Sequence, residues 1–176
     1  MSQTKIFGLA GWSGSGKTSL LARLLPELTK DGRRVSTIKH AHHKFDVDQP
    51  GKDSYIHRQA GAYEVMVLSE NRWALMHENQ RPVEPDLNQA ITRMADVDLV
   101  MIEGFKTYSH PKLEVHRESL GKPLLYGDDE NIVAVASDSV LSPINVPILD
   151  LSETKAIAEF ILQYCHLGEV AAGSSR

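Results

Sequence analysis

Gly11-Trp12-Ser13-Gly14-Ser15-Gly16-Lys17-Thr18 fits the pattern G-x-x-x-x-G-K-[ST] without a mismatch. Three glycines let the backbone curl tightly, so that successive N–H groups point inward as a nest for phosphate oxygens. Lys17 adds a mobile positive charge, Thr18 supplies a hydroxyl that can ligate Mg²⁺, and a helix starting here sets its positive end under the phosphates. A glycine-rich octapeptide can arise by chance, so the flanks must agree with it. Ile6-Phe7-Gly8-Leu9-Ala10 is an apolar run suited to a buried parallel strand, and Leu20, Leu21, Leu24, Leu25 and Leu28 form a helical stripe after the loop. Strand, loop and helix in that order predict a nucleoside triphosphate site in a three-layer α/β fold of P-loop type, a mostly parallel sheet with helices on both faces. An ordinary Gly/Ser turn would not call for Lys-Thr at its last two positions.

Composition bounds the rest. A chain of 176 residues is most simply one domain, here 1–168, with 169–176 as a frayed tail. A content of 41% hydrophobic and 24% charged residues is that of a soluble globular protein, and a formal net charge of −4 gives no general attraction for nucleic acid or an anionic membrane. Cys165 is the only cysteine, which excludes an internal disulfide and a four-cysteine zinc site. Residues 6–10 run straight into the loop glycines, too short for a secretion signal, so the cytoplasm is the expected compartment.

Further along, Pro26 inside the leucine stripe is expected to kink or shorten the first helix. Val35-Ser36-Thr37-Ile38-Lys39 reads as a second strand, and residues 40–52 have no apolar period, which makes them a loop rich in reactive groups. Asp53-Ser54 can cap a short helix. Glu64-Val65-Met66-Val67-Leu68 and Arg72-Trp73-Ala74-Leu75-Met76 have hairpin spacing, a β insertion that can form a sheet edge and pair with a second chain. Asp98-Leu99-Val100-Met101-Ile102-Glu103-Gly104 is a buried strand ending in a carboxylate, the arrangement that sets an acid beside Mg²⁺ in P-loop proteins. Leu113-Glu114-Val115-His116 reads as another strand, and 118–130 as a flexible connection. Ile132-Val133-Ala134-Val135-Ala136 ends in Ser137-Asp138 at the same sheet edge as Gly11 and Glu103. A carboxylate there can accept from guanine N1–H and N2–H together, or it can simply cap the following turn. Asp150 and Glu153 have capping-box spacing before a last helix, whose buried face is Ile157, Phe160, Ile161, Tyr164 and Cys165.

Lys39-His40-Ala41-His42-His43, Asp46-Val47-Asp48, Pro50-Gly51-Lys52-Asp53-Ser54 and Glu103-Gly104-Phe105-Lys106 resemble the molybdopterin-guanine dinucleotide biosynthesis protein B (MobB) family. The likeness extends over nearly the whole chain, including residues 72–76 and 134–138. It implies a GTP-binding homodimer with slow GTP hydrolysis, assisting attachment of a guanine nucleotide to molybdopterin beside the molybdenum cofactor guanylyltransferase. Under this resemblance Gly11, Ser13, Gly14, Ser15, Gly16, Lys17, Thr18 and Ser19 form the phosphate site, with Ser137 and Asp138 at the base. Thr18, Glu103 and Asp53 meet Mg²⁺, with Asp46 or Asp48 as replacements for Asp53, and with Lys17 they are the catalytic set. Lys52 and Lys106 are placed to meet an anion. Trp12 stands where some P-loop relatives carry a lysine that reaches across a dimer, which excludes that device here.

Two rivals accompany this reading. His40, His42 and His43 could hold Zn²⁺ or Ni²⁺ in a metallochaperone GTPase, although cysteine ligands are missing. A small-molecule kinase or ligase shares the fold, although no lid segment is visible.

Overall fold

The computed structural model describes residues 4–41, 45–105 and 108–168. The chain order is β1 (Lys5–Ala10), α1 (Lys17–Thr29), β2 (Val35–Lys39), α2 (Asp53–Gln59), β3 (Glu64–Leu68), β4 (Trp73–His77), α3 (Leu87–Thr92), β5 (Leu99–Glu103), β6 (Lys112–His116), a 3₁₀ turn (Glu118–Leu120), β7 (Ile132–Ser137), β8 (Ile148–Asp150) and α4 (Thr154–Tyr164). These elements divide into two compact units, one of residues up to 40 together with those from 87 onward, the other of residues 41–86.

In the first unit six strands form one sheet in the order β2-β5-β1-β6-β7-β8, every pairing parallel. Period-two alternation sends Phe7, Leu9, Leu99, Met101, Leu113 and Val115 to one face, where they pack on the leucine stripe of α1 and on Ile157 and Ile161 of α4. Val100 and Ile102 go to the other face, against Leu87, Phe105 and the partly buried Ile91. Strand β5 is buried throughout, as expected of a strand covered on both faces. Because all six strands run the same way, the loops after β1, β5, β6 and β7 leave from one edge of the sheet.

The second unit holds α2 and a separate two-stranded antiparallel sheet, β3 against β4, in the register Met66↔Leu75 and Leu68↔Trp73. The expected hairpin is present, yet it pairs with no strand of the large sheet, so its apolar surface is a face as well as an edge. Glu64, Met66, Leu68, Trp73, Leu75 and His77 share one side, on which Met66, Leu68, Trp73 and Leu75 are exposed.

Several local expectations are revised. α1 continues past Pro26 to Thr29, so the proline does not end it. Lys52, not Asp53 or Ser54, is the N-cap residue of α2, with no side-chain cap, and Asp53 lies in the first turn. Asp150 does not cap α4, since its Oδ1 accepts from the Ser152 N–H and hydroxyl at 2.7 Å each. Tyr164, expected on the buried face of α4, is exposed, although its ring meets Phe7 edge-on at 5.7 Å. The stretch 118–130 is pinned down. Fully buried Glu114 accepts from the N–H groups of Leu125 at 2.8 Å and Tyr126 at 2.9 Å, and the Lys112 ammonium reaches Asp129 Oδ2 at 2.7 Å.

Candidate functional site: a phosphate loop and its surroundings

Residues 11–16 bridge the end of β1 and the start of α1, and glycine is required by two kinds of constraint. At Gly11 a Cβ would fall 2.6 Å from the Val115 carbonyl oxygen and 2.7 Å from Ser15 Oγ, so the loop is packed directly onto β6. Gly16 has φ 92° and is the N-cap of α1 without a side-chain cap. The orphan N–H groups of the first helical turn are therefore left for an external acceptor, which is how a helix start receives an anion. Ser15 Oγ is buried and has no hydrogen-bond partner among the described residues. Lys17 donates to the carbonyls of Gly11 and Trp12 at 2.9 Å each, holding its ammonium over the loop backbone. Ser13, Gly14, Thr18 and Ser19 are exposed on this loop and first turn.

Thr18 Oγ1 donates to Glu103 Oε1 at 2.7 Å. Glu103 closes β5, which lies beside β1 in the register Leu9↔Glu103, so adjacent parallel strands deliver the loop hydroxyl and the strand-end acid to one point. Lys39, at the end of β2, places its ammonium 3.8 Å from the same carboxylate oxygen. A hydroxyl and a carboxylate in contact beside a phosphate nest form a hard-oxygen donor set of the kind Mg²⁺ takes together with phosphate oxygens. The uncapped helix start and the orphaned Ser15 hydroxyl fit a polyphosphate, and the Thr18–Glu103 pair fits its metal ion.

Ser137 and Asp138 leave the end of β7 beside a cleft of about 410 Å³, shared with the end of β8 and lined also by Val140, Leu141 and Ile148. That is within the ~300–1,000 Å³ range of small-molecule sites. Ser137 Oγ accepts from the Ser139 N–H at 3.1 Å. Asp138 is engaged on both oxygens, with Oδ2 accepting from Arg117 Nη1 at 3.1 Å and Oδ1 from the Glu118 N–H at 3.1 Å. Arg117 Nε donates to the Ser15 carbonyl of the phosphate loop at 3.0 Å. Sequence reading missed Arg117. The available signal was its place directly after β6, at the edge where the loop and Asp138 also emerge.

Trp12 ties the loop outward as well, donating from Nε1 to the Pro123 carbonyl at 2.8 Å, with the Lys122 ammonium 5.6 Å from its ring centroid.

Of the remaining sequence candidates, Asp46, Asp48 and Asp53 belong to the second unit and His40 to the first. Asp46 and Asp48 each accept from Arg58 Nη2 at 2.8 Å, and Glu78 lies 3.5 Å from the same guanidinium, so both aspartates are committed to an ion cluster of the second unit. Asp53 is exposed at the start of α2 in that unit. His40 stacks on Phe105 at 4.5 Å and donates its backbone N–H to the Glu103 carbonyl at 2.8 Å. His42, His43 and Lys106 lie outside the described residues, as does the tail from 169. Among the described residues no three His, Cys, Asp or Glu side chains gather to hold a metal ion, and no helix is long and apolar enough to cross a membrane.

A polar layer lies on the same sheet face as Gly8. His110 is buried, and a Cβ on Gly8 would collide with its Nε2. Burial, with Lys112 nearby, lowers the His110 imidazole to about 4. Burial raises the Glu114 carboxyl in spite of its two backbone donors. Burial also pushes the Asp129 carboxyl upward, but the hydrogen bonds from Lys112 and Asn131 outweigh it and hold the group below the usual range. Burial lifts the Cys165 thiol to about 11, which fits a core residue and not a nucleophile.

Comparison with known proteins gives the family. The sequence model of the family MobB, molybdopterin guanine dinucleotide synthesis protein B, matches residues 6–138. A molybdopterin-guanine dinucleotide biosynthesis adapter protein of Haemophilus influenzae is 43% identical over 165 residues, covering 93% of this chain and 91% of that protein. Its namesake in Escherichia coli K12 is 41% identical over 162 residues, covering 90% and 92%. A crystal structure of molybdopterin-guanine biosynthesis protein B superposes with a TM-score of 0.71 at 29% identity, over 92% of this chain and 99% of that one.

Proposed function

Because this chain belongs to the MobB family, whose curated relatives are molybdopterin-guanine dinucleotide biosynthesis adapter proteins, we propose that it serves that step as a GTP-binding adapter. The observation that carries GTP with Mg²⁺ is the 2.7 Å contact between Thr18 of the phosphate loop and Glu103 at the end of the neighbouring strand. The triphosphate is held by the N–H groups of residues 13–18 and by Lys17, while Thr18 and Glu103 hold Mg²⁺, directly or through water. Bound Mg²⁺ supplies charge neutralisation at the phosphate oxygens. Asp53 is a further candidate for that ion, and Ser137 and Asp138 are the base contacts, which makes the cleft between β7 and β8 the guanine pocket. A carboxylate accepts from guanine N1–H and N2–H but meets an acceptor at N1 of adenine, which favours GTP over ATP. Slow hydrolysis accompanies binding.

Molybdopterin and the molybdenum cofactor guanylyltransferase enter as partners through family membership. The apolar face of the β3–β4 hairpin supports a homodimer. Adapter relatives at this identity favour this reading over a metallochaperone, kinase or ligase.

The test is dinucleotide formation from molybdopterin and GTP by the guanylyltransferase, with and without this protein. Stimulation by the wild type and none by Lys17→Ala is expected. Equal stimulation by both would separate the adapter role from nucleotide binding.

A further inference from the structure

We infer that Arg117 is a positioning residue for base recognition, bracketing the Asp138 carboxylate against the phosphate loop so that its plane is fixed before a purine arrives. This rests on Asp138 as the guanine acceptor. The guanidinium spans two segments far apart in sequence, donating from Nε to the Ser15 carbonyl at 3.0 Å and from Nη1 to Asp138 Oδ2 at 3.1 Å. Its flank lies against the loop, where a Cβ on Gly16 would sit 3.4 Å from Arg117 Nε and Nη2. The second Asp138 oxygen is held by the Glu118 N–H at 3.1 Å, from the residue next to Arg117. Each oxygen of a carboxylate has two acceptor sites, so these donors use one on each oxygen and leave one on each. One remaining acceptor site on each oxygen of a carboxylate held on both sides can meet guanine N1–H and N2–H together.

The Arg117 and Asp138 side chains are 38% and 32% exposed. An ion pair this open to water adds little to stability, so its value lies in geometry. Lysine could not replace it, because an ammonium is a point charge without the planar fork that meets two acceptors at set angles. In this arrangement the base contact and the phosphate contact are parts of one rigid bracket. A purine that satisfies Asp138 is thereby set at a fixed distance from Ser15.

The experiment titrates the full chain, with Mg²⁺, against GTP, ITP and inorganic tripolyphosphate. ITP lacks the 2-amino group and tripolyphosphate lacks the base. The wild type should prefer GTP over ITP by about tenfold or more, the value of one hydrogen bond to a charged group. Arg117→Met should bring that ratio below about threefold while changing tripolyphosphate affinity by less than about threefold, and Arg117→Lys should not restore the ratio. Equal loss for all three ligands would overturn the inference, leaving Arg117 as a prop for the phosphate loop. Full restoration by Arg117→Lys would overturn it too, since charge alone would then suffice. Asp138→Asn separates the two levels. If it leaves the ratio unchanged, guanine is read elsewhere and both readings fall; if it collapses the ratio and Arg117→Met does not, the bracket alone falls. Should Arg117→Met not fold, the ratio in Arg117→Lys decides.

Discussion

Acid should destabilise this fold through His110, and the size of the effect follows from its surroundings. The ring is buried against Gly8, and neither of its nitrogens has a hydrogen-bond partner among the described residues. Protonation would create a second buried cation near Lys112, so burial and that ammonium together lower the imidazole from 6.5 to about 4. In the unfolded chain the same group titrates near the ordinary value. Between pH 6.5 and about 4 the unfolded chain therefore holds more protons than the folded one, and stability falls as the pH falls. The slope is ~1.4 kcal/mol per pH unit, or roughly 3 kcal/mol across the window, with no contribution from His110 above pH 6.5. Glu114 acts in the opposite direction, because its raised carboxyl lets the folded state take up a proton first. Asp129, held low by Lys112 and Asn131 against burial, loses its contribution only below the ordinary carboxylate range. The His110 share is isolated by comparing wild type with His110→Gln, since both keep the other two groups. Urea unfolding at pH 7.5, 6.5, 5.5 and 4.5 should show the stability of the wild type minus that of the variant falling by about 2 to 3 kcal/mol toward acid, whatever its value at neutral pH. A constant difference would refute the reasoning and mean that the ring reaches water or a partner in solution.

Glu103→Gln keeps an acceptor for Thr18 but removes the charge, so GTP affinity with Mg²⁺ should fall by about ten- to a hundredfold while affinity in EDTA changes little. Isothermal titration under both conditions checks this, and an unaltered Mg²⁺ dependence would remove Glu103 from the metal's surroundings. GTP turnover by the isolated protein should lie at ~10⁻⁴ to 10⁻² s⁻¹, since the Arg117 guanidinium is committed to Ser15 and Asp138 and is not free to meet a transition state. Phosphate release at kinase-like speed without a partner would contradict that. Leu68→Glu on the exposed side of the hairpin should convert a micromolar dimer to a monomer by light scattering, and a monomeric wild type would remove the premise.

What the sequence disclosed was local. Residues 11–18 and the apolar runs of β1 and β5 carry their information in consecutive positions, and parallel strands then bring Gly11, Thr18 and Glu103 to one edge without further instruction. The alternation Leu113-Glu114-Val115-His116 reads as a strand with one polar face, and polar faces ordinarily meet water. Here Lys112 and Glu114 are buried, because the segment after the 3₁₀ turn lies across them and supplies the Leu125 and Tyr126 N–H donors and the Asp129 carboxylate. The same contacts explain why 118–130 misled: its polarity reads as flexibility, whereas its backbone donors answer a carboxylate in another element. Arg117 was invisible for a related reason, since its partners are Ser15, 102 residues away, and Asp138, 21 residues away. Asp138 itself was legible only as a choice between capping a turn and reading a base. The turn after β7 is held instead by Ser137, whose Oγ accepts from the Ser139 N–H, whereas Asp138 Oδ1 accepts from the Glu118 N–H of a distant segment and spends one acceptor site on it. Both bonds that hold the Asp138 carboxylate therefore come from neighbouring residues of a segment about 20 positions away, which no local spacing could disclose, and they leave an acceptor site on each oxygen for the purine it is proposed to read.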